Sequence, residues 1–593
     1  METDEDRNRE TRRSDKTLSA GQNTGENQPP KGMEEGKLHI TDRISELPED
    51  VIRHIMSFVE VEDVVNTCIN SYCLTRACAT LQFLSFGENF FPWRDTTVPI
   101  GYRYRPSFLE ITNEKLEITN EEVIGLVQVV NHMKIAKQKL QERMNTVDGR
   151  IVRLQHHKVD LIKFCLYLPS YGLIDLEPYI YKLVSSLVEC KIQELVFKVK
   201  DRYTLPGSLY TANSLRKLHL TGFKLESPSD GLRFPSLREL NLSCCDVEDK
   251  LLQLLTMSCP ELEFLNFKFC CGFDSLQIFG LPKLKKVTTK FGFKQFNKIE
   301  IQAPKLEHLS HHSTYVDRLC VVDVAACKSL KVLILQCITI TPQWVNDIFS
   351  MLPLEVFELS DCEGLKNVRI TSTHLKQLSL AQCMNLNNTE VDAPNLSSFS
   401  YVGVIPLRIS LKASALEDIH LCIFPETSES QWHSKLIEFL GSFNHYNLVE
   451  LIVIFNPDEW IIPKYLRETL QSPLYDIKHL TVNLQVSWMR LKDSILLDLL
   501  DSFLWLAPCL DSLSVICGFL EQTVELIHET SAVEGKEKCC ASAPFRCWRC
   551  SLKEVNFKNF QSIEYKSMVK HYFVENARIL KKRAAEGLRN RDL

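Results

Sequence analysis

The chain has 593 residues, a length too great for a single compact core and typical of several domains. Hydrophobic residues make up 45% and charged residues 24%, the ordinary balance of a water-soluble protein. A formal net charge of −6 gives no overall attraction to nucleic acid or to anionic lipid. No stretch reaches the roughly 20 apolar residues that a membrane-spanning helix needs. We therefore expect neither a nucleic-acid partner nor a membrane partner. The 22 cysteines, without a secretory signal, favour reduced thiols inside the cell.

The N-terminal part divides into a tail and a small helical unit. Residues 1–38 are polar and mixed in charge, which predicts a disordered tail. Residues 39–85 predict short helices, because Leu47-Pro48-Glu49-Asp50 is typical of a helix start and apolar residues follow at helical spacing. So small a unit has more apolar surface than it can bury alone, which favours a protein-binding module. The alternative is that these helices only cap the larger remainder of the chain.

Residues 86–154 predict a helical linker. Glu121–Gln141 has the spacing of a helix, and its basic end is most simply explained as a complement to the helix dipole. After it, strand-like segments at 161–166 and 194–197 flank a predicted helix at Glu177–Glu189. His156-His157, like His311-His312 further on, has no partner at ligand spacing, and we expect all four to lie on the surface.

The central part of the chain contains an internal repeat. The pattern Leu-x-x-Leu-x-Leu recurs in steps of 20 to 25 residues, which is the signature of a leucine-rich repeat. One coil cannot bury its apolar face alone, so the coils must stack into a curved solenoid. Each motif predicts a concave strand with leucines inward and the x positions outward. The leading leucines are Leu215, Leu237, Leu262, Leu284, Leu306, Leu330, Leu354, Leu375, Leu396 and Leu416.

Cysteine recurs eight residues after the leading leucine in four repeats, at Cys245, Cys270, Cys362 and Cys383. A metal site is one interpretation of this register. Because one cysteine per coil does not make a tetrahedral site, small apolar side chains packed in a turn are the better interpretation.

The convex side of the repeats is predicted to vary. Helical spacing is present at 246–257, 342–351, 431–443 and 494–506, whereas the repeats near 284–320 and 375–415 have room only for short loops. Thr341 followed by Pro342 is typical of a helix N-cap and first helical position. Later strands are predicted at 448–455, 477–484 and 510–515, so the repeats extend over residues 155–526 and form an irregular horseshoe.

The C-terminal part begins with a polar loop, residues 527–546, and ends with a strand–helix unit, residues 547–593. Cys539-Cys540 with Cys547-x-x-Cys550 could be a zinc knuckle, but the first pair lacks ligand spacing, so we predict no metal. The cluster Lys581-Lys582-Arg583 is a weak nuclear import signal.

These segments resemble one known family. Residues 42–52 (Asp-Arg-Ile-Ser-Glu-Leu-Pro-Glu-Asp-Val-Ile) and the apolar pattern up to Thr67 resemble the F-box of plant F-box/leucine-rich-repeat proteins. The segment Ser551-Leu552-Lys553-Glu554-Val555 and the helix after it resemble the FBD module of the same family. The family usually has a basic pair and a tryptophan after the F-box serine, whereas this chain continues Ser71-Tyr72-Cys73.

The resemblance implies an α/β solenoid in which a small F-box, residues 39–85, precedes the horseshoe and an FBD-like cap closes it. It also implies a non-catalytic substrate-recognition subunit of an SCF-type (Skp-cullin-F-box) ubiquitin ligase, with a Skp-like adaptor, through it a cullin, and an unknown target protein as partners. Its location would be the nucleus, the cytoplasm or both. The resemblance implies an adaptor-binding set of Leu47, Pro48, Ile52, Ile55, Phe58, Val64 and Val65. Alternation along the strands predicts a target-binding set of Lys217, His219, Glu239, Asn241, Glu358 and Ser379.

Two other functions stay open. A scaffold with a degenerate F-box would explain the departure at residues 71–75. A small-molecule receptor of the F-box/leucine-rich-repeat type is less favoured, because the sequence shows no basic cluster along the outward strand positions. The chain has no phosphate loop, zinc-protease motif or nucleophile elbow, so we predict neither an enzyme nor a cofactor.

Overall fold

The structure is a computed structural model. It describes residues 47–56, 81–87, 90–91, 120–170, 174–228, 231–292, 297–314, 320–383, 386–406, 408–425, 431–454, 457–485, 493–517, 547–558 and 563–576. The predicted tail, the second helix of the small unit and the polar loop 527–546 lie outside these residues, as do Phe58, Val64 and Val65.

Twenty-four strands are described, most of them four to seven residues long. They are β1 (Phe83–Phe86), β2 (Lys163–Leu168), β3 (Glu194–Thr204), β4 (Lys217–Leu225), β5 (Glu239–Ser243), β6 (Asp246–Val247), β7 (Phe264–Lys268), β8 (Ser275–Ile278), β9 (Lys286–Lys290), β10 (Lys298–Ile301), β11 (His308–His312), β12 (Val321–Asp323), β13 (Val332–Gln336), β14 (Val356–Ser360), β15 (Asn367–Thr371), β16 (Gln377–Ala381), β17 (Asn388–Asp392), β18 (Ser398–Gly403), β19 (Arg408–Lys412), β20 (Asp418–Ile423), β21 (Leu448–Ile454), β22 (His479–Gln485), β23 (Ser512–Cys517) and β24 (Glu554–Lys558).

The described helices are α1 (Glu49–Met56), α2 (Asn120–His157), α3 (Glu177–Glu189), α4 (Asp249–Ser258), α5 (Pro342–Met351), α6 (Trp432–Gly441), α7 (Lys464–Thr469), α8 (Asp493–Leu506), α9 (Trp548–Ser551) and α10 (Ile563–Asn576), with 3₁₀ turns at Gly207–Thr211 and Pro457–Trp460. None of them is long and apolar enough to cross a membrane.

One parallel sheet runs through the described chain. Its order is β1-β2-β3-β4-β5-β7-β9-β11-β13-β14-β16-β18-β20-β21-β22-β23-β24, with β6 beside β4. Because each strand pairs with the strand of the next coil, residues one repeat apart become neighbours. The predicted solenoid is therefore confirmed, and its sheet begins at Phe83, ahead of the predicted repeat boundary at residue 155.

The leucines of the repeated motif form one continuous core. Along β4, Leu218 and Leu220 are buried while Lys217 and His219 face outward, and the same alternation recurs on the later strands. The leading leucines, from Leu215 to Leu416, all belong to this core. Stacking of coils thus hides surface that no single coil could hide, which is the main stabilising term of such folds.

The repeated cysteines lie in the turns that leave the strands. Directly before each, a residue in the left-handed region turns the chain, for example Cys244 with φ 51° and Phe269 with φ 54°. Its N–H donates to the last carbonyl of the next strand, as from Cys244 to Lys268 at 2.7 Å. The thiol that follows, which is buried in three of the four repeats and half-buried at Cys383, donates to a carbonyl of the preceding coil, as from Cys270 to Leu242 at 3.3 Å. The interpretation of these cysteines as small side chains packed in a turn is confirmed. Each thiol also forms a hydrogen bond to a backbone carbonyl, which the sequence did not predict.

The convex side was predicted correctly only where it is helical. Helix α5 begins at Pro342, and the Thr341 hydroxyl accepts a hydrogen bond from the Trp344 N–H at 3.2 Å, as the N-cap prediction requires. The coils predicted to have only loops instead form two short parallel sheets, β8-β10-β12 and β15-β17-β19. Coils of nearly equal length bring successive loops into register, so their backbone groups pair with one another. Helix α2 is also longer than predicted and ends at His157.

One predicted surface residue lies in the core. His311 is 1% exposed and occupies the third apolar position of its motif, where the preceding coil has the fully buried Thr289. The Thr289 hydroxyl oxygen lies 2.7 Å from Nδ1 of His311. His156 and His157 are exposed and His312 is half-buried. The prediction for His311 was wrong because the repeat register, rather than residue type, decides which way a side chain points.

Candidate functional site

The predicted site residues that the structure describes belong to two regions: helix α1 with the two residues before it, and the outward face of the large sheet. Helix α1 has apolar residues on two faces. Ile52 and Met56 are 2% and 4% exposed and belong to the core. Leu47, Val51 and Ile55 follow one another at intervals of four and are 38%, 38% and 44% exposed. Val51 and Ile55 lie one turn apart on the helix and Leu47 lies two residues before its start; we call these three exposed side chains the exposed α1 stripe.

The predicted adaptor-binding set is divided by this helix. Ile55 on the helix and Leu47 and Pro48 just before it are exposed. Ile52 faces inward and is sealed by the chain itself, so in this arrangement its side chain offers no surface to a partner. Val51 was missed although it completes the stripe, and a count of four residues from Leu47 would have found it. Adaptor binding by the exposed members stays a prediction.

Four of the predicted target-binding residues meet on β4 and β5. The register pairs Lys217 with Glu239 and His219 with Asn241. Nε2 of His219 lies 2.9 Å from Oε1 of Glu239, and the Asn241 amide donates to the same oxygen at 2.8 Å. Lys217 forms an ion pair with Glu194 at 3.0 Å, and this hydrogen bond raises the pKa of the lysine. These side chains already satisfy one another, so a ligand here would have to compete with internal hydrogen bonds.

The other two predicted residues, Glu358 and Ser379, are cross-strand neighbours on β14 and β16, several strands away from the first group. Further along the same face is a network that the sequence did not reveal. Nδ1 of His420 lies 2.6 Å from Glu450, and the Asn483 amide donates to Glu450 at 3.3 Å. The hydrogen bond with Glu450 raises the pKa of His420, and the same bond lowers the pKa of Glu450.

A basic cluster also lies on this face, against our expectation that none was present. Lys268 on β7 and Lys290 on β9 are direct cross-strand neighbours, and Lys286 lies at the other end of β9. All three side chains are exposed. We call these three residues the lysine cluster. The cluster could not be recognised in the sequence, because its members come from two coils about 22 residues apart and become neighbours only through the strand register.

The outward face is divided by charge. On β2, β3, β4, β5, β7, β9 and β11, the first, third and fifth residues of each strand include six lysines and two glutamates. The lysines are Lys163, Lys198, Lys217, Lys268, Lys286 and Lys290, and the glutamates are Glu194 and Glu239. On β13, β14, β16, β18, β20, β21, β22 and β23, the same three positions of each strand include acidic residues and no lysine or arginine. These acidic residues are Glu358, Asp418 and Glu450.

No group of three His, Cys, Asp or Glu side chains able to hold a metal ion is present within the described ranges. Cys539 and Cys540 of the suspected knuckle lie outside those ranges. The described candidate site consists of two exposed surfaces, one apolar beside helix α1 and one charged on the large sheet.

The fold is that of a leucine-rich-repeat protein. A family model for the leucine-rich repeats of the FBD-associated F-box protein At5g56370 matches residues 180–335, and one for the leucine-rich-repeat domain of At1g61320/AtMIF1 matches residues 319–584. The family resemblance noted in the sequence is thereby confirmed for residues 180–584, which match models of the leucine-rich repeats of such plant proteins.

Similar proteins of Arabidopsis thaliana carry the same elements in their names. The chain is 24% identical over 374 residues to F-box/FBD/LRR-repeat protein At4g26340, covering 61% of this chain and 77% of that protein. It is 25% identical over 253 residues to the putative F-box/LRR-repeat protein At5g54820, covering 40% and 45% of the two chains. It is 35% identical over 119 residues to the putative FBD-associated F-box protein At1g05080, covering 19% and 27%.

Proposed function

We propose that this chain is the substrate-recognition subunit of an SCF-type ubiquitin ligase. Helix α1 would bind a Skp-like adaptor, which joins it to a cullin, and the outward face of the sheet would bind the target protein. The observation that carries the proposal is the exposed α1 stripe, an apolar surface beside the face of the helix that Ile52 and Met56 bury. The F-box in the names of the relatives supports the same assignment.

In such a complex the chemistry belongs to other subunits. This chain would contribute proximity, because holding a target beside the ubiquitin carrier raises the effective concentration of its lysines. The proposal needs no cofactor and no catalytic residue in this chain. Its location in the nucleus or cytoplasm follows from the same role, and imaging of the tagged full-length chain tests it.

Adaptor binding can be tested on the full-length chain with a double variant, Leu47→Asp with Ile55→Asp. Both side chains are exposed, so we expect the fold to survive. The two aspartates would have to be buried against the adaptor, which disfavours the apolar contact. Co-purification of a Skp-like adaptor and cullin should fall to background. The matched control is Val152→Asp, at an exposed valine of α2 outside the stripe. Wild-type recovery of the adaptor by the double variant would refute the docking assignment.

The runner-up is a scaffold that no longer joins a ligase. The departure of residues 71–75 from the family pattern favours it, and these residues lie outside the described structure. If the purified wild-type chain fails to bind adaptor at micromolar concentration while still capturing a target, the scaffold is the better assignment. The target itself can be sought by proximity labelling with a chain that lacks residues 39–85, since a trapped target is not degraded.

A further inference from the structure

The lysine cluster has no counter-charge among the described residues. Among the described residues no ion pair involves Lys268, Lys286 or Lys290; the ion pairs of this region use Lys283, Lys285 and Lys298 instead. Other lysines of the same coils are paired, for example Lys285 with Glu263 at 2.7 Å and Lys283 with Glu261 at 2.6 Å. Like charges directly opposite each other on neighbouring strands repel, so Lys268 beside Lys290 costs stability in the isolated chain.

Exposed aromatic side chains accompany the cluster. Phe264 is 42% exposed at the outward position beside Lys286, and Phe269 is 47% exposed in the turn after β7. The ammonium of Lys290 lies 5.6 Å from the centre of the Phe269 ring, within range of a cation–π contact. Exposed aromatics with cations around them are the composition of a binding surface rather than of a solvated face.

The spacing of the lysines indicates the kind of ligand. Lys286 and Lys290 lie four residues apart on one strand, which is about 13 Å, while Lys268 and Lys290 lie on adjacent strands about 5 Å apart. A single phosphate group is too small to reach all three ammonium groups. An extended peptide advances about 7 Å for every two residues, so carboxylates at alternate positions can reach successive lysines. Phosphate recognition also favours the planar fork of arginine, and this cluster has none.

We propose that the lysine cluster, together with Phe264 and Phe269, binds an extended segment of the target protein with acidic residues at alternate positions and an apolar or aromatic residue between them. This proposal rests on target binding by the outward face, which the proposed function assigns. The acidic residues between β13 and β23 would repel the same segment, so charge favours binding at β7 and β9 over binding at the later strands.

The binding test uses the full-length chain and a fluorescein-labelled peptide, about 12 residues long, of alternating glutamate and phenylalanine or serine, which spans the cluster when extended. Fluorescence anisotropy at about 50 mM and about 200 mM salt measures the affinity. We expect binding that weakens at the higher salt, because exposed charges are screened. The double variant K286E with K290E should bind at least about tenfold more weakly. Its matched control is K305E with K328E, which makes the same change in net charge at two exposed lysines outside the outward strand positions.

Four outcomes would overturn the proposal. The first two are unchanged peptide affinity in the K286E/K290E variant and a loss of affinity in the control as large as that in the variant. The third is equally tight binding of a peptide that has lysine in place of glutamate. The fourth is tighter binding of inositol hexakisphosphate, or of a singly phosphorylated peptide, than of the acidic peptide. The peptide assay needs no adaptor and the adaptor assay needs no peptide. A chain that binds the peptide but no adaptor therefore disproves only the ligase assignment, and the converse result disproves only the acidic-segment proposal.

Discussion

Replacing His311 by leucine should remove a pH-dependent weakness from the repeat core. Burial lowers the pKa of His311 to about 3, with a smaller contribution from the neighbouring His312. The ordinary pKa of histidine in an unfolded chain is about 6.5. Between these two values the unfolded chain takes up a proton that the folded chain does not. The free energy of unfolding therefore falls as the pH falls below about 6.5.

The magnitude follows from the linkage between proton binding and folding. Each pH unit inside this window lowers the free energy of unfolding by about 1.4 kcal/mol, so about 2 kcal/mol is lost at pH 5. At pH 7.5 the neutral ring keeps its contact with Thr289, and the leucine variant should differ from wild type by less than about 1.5 kcal/mol because the volume is nearly conserved. Thr289 keeps an acceptor in the variant, the Ser310 carbonyl at 3.4 Å.

Urea denaturation followed by circular dichroism at pH 7.5 and pH 5.0 measures the effect. Between pH 7.5 and pH 5.0, the free energy of unfolding of the variant should rise by about 2 kcal/mol relative to that of wild type. Other groups titrate in both proteins, so their contribution cancels in this difference. Substitution of the exposed His374 by glutamine controls for the loss of an imidazole at the surface. A difference between wild type and His311→Leu that does not change with pH would show that the buried ring is protonated in the folded chain, contrary to its lowered pKa.

Three further variants test the packing of the coils, and thermal or urea denaturation measures each. Leu333→Ala removes a fully buried leucine of the repeated motif and should lower the free energy of unfolding by about 2–5 kcal/mol. Its control, Val332→Ala on the outward side of the same strand, should lower it by less than about 1 kcal/mol. Equal losses would contradict the assigned faces. Gly272→Ala should destabilise by at least about 1 kcal/mol, because φ is +99° and the new Cβ would lie 2.4 Å from a carbonyl oxygen of the preceding coil. Gly207→Ala, where nothing lies within 4 Å, is its control, and equal stability of the two would refute the close approach. Thr341→Ala should cost about 1 kcal/mol through loss of the N-cap of α5, and Thr341→Ser should restore most of it; no rescue by serine would argue against the cap.

The order of the amino acids alone was enough to specify the class of fold and much of its interior. Leu-x-x-Leu-x-Leu at a nearly constant step has only one way to bury its leucines, so Leu215 and its successors specify parallel strands and stacked coils. Local rules were also sufficient to predict where α5 begins, because Thr341 caps the helix and Pro342 is its first residue. Patterns of this kind can be read from the sequence because each depends on residues close together in it.

Features that depend on the register between coils needed the tertiary structure. Whether Ile52 or Val51 faces outward on α1 depends on what the helix packs against, and both are apolar. The convex strands form only because neighbouring loops have matching lengths. Lys268 and Lys290 become neighbours, and His311 is buried beside Thr289, because stacking sets residues one coil apart side by side. The repeat pattern was enough to predict that the leucines are buried. The charge and chemistry of the outward surface depend on which residues become cross-strand neighbours.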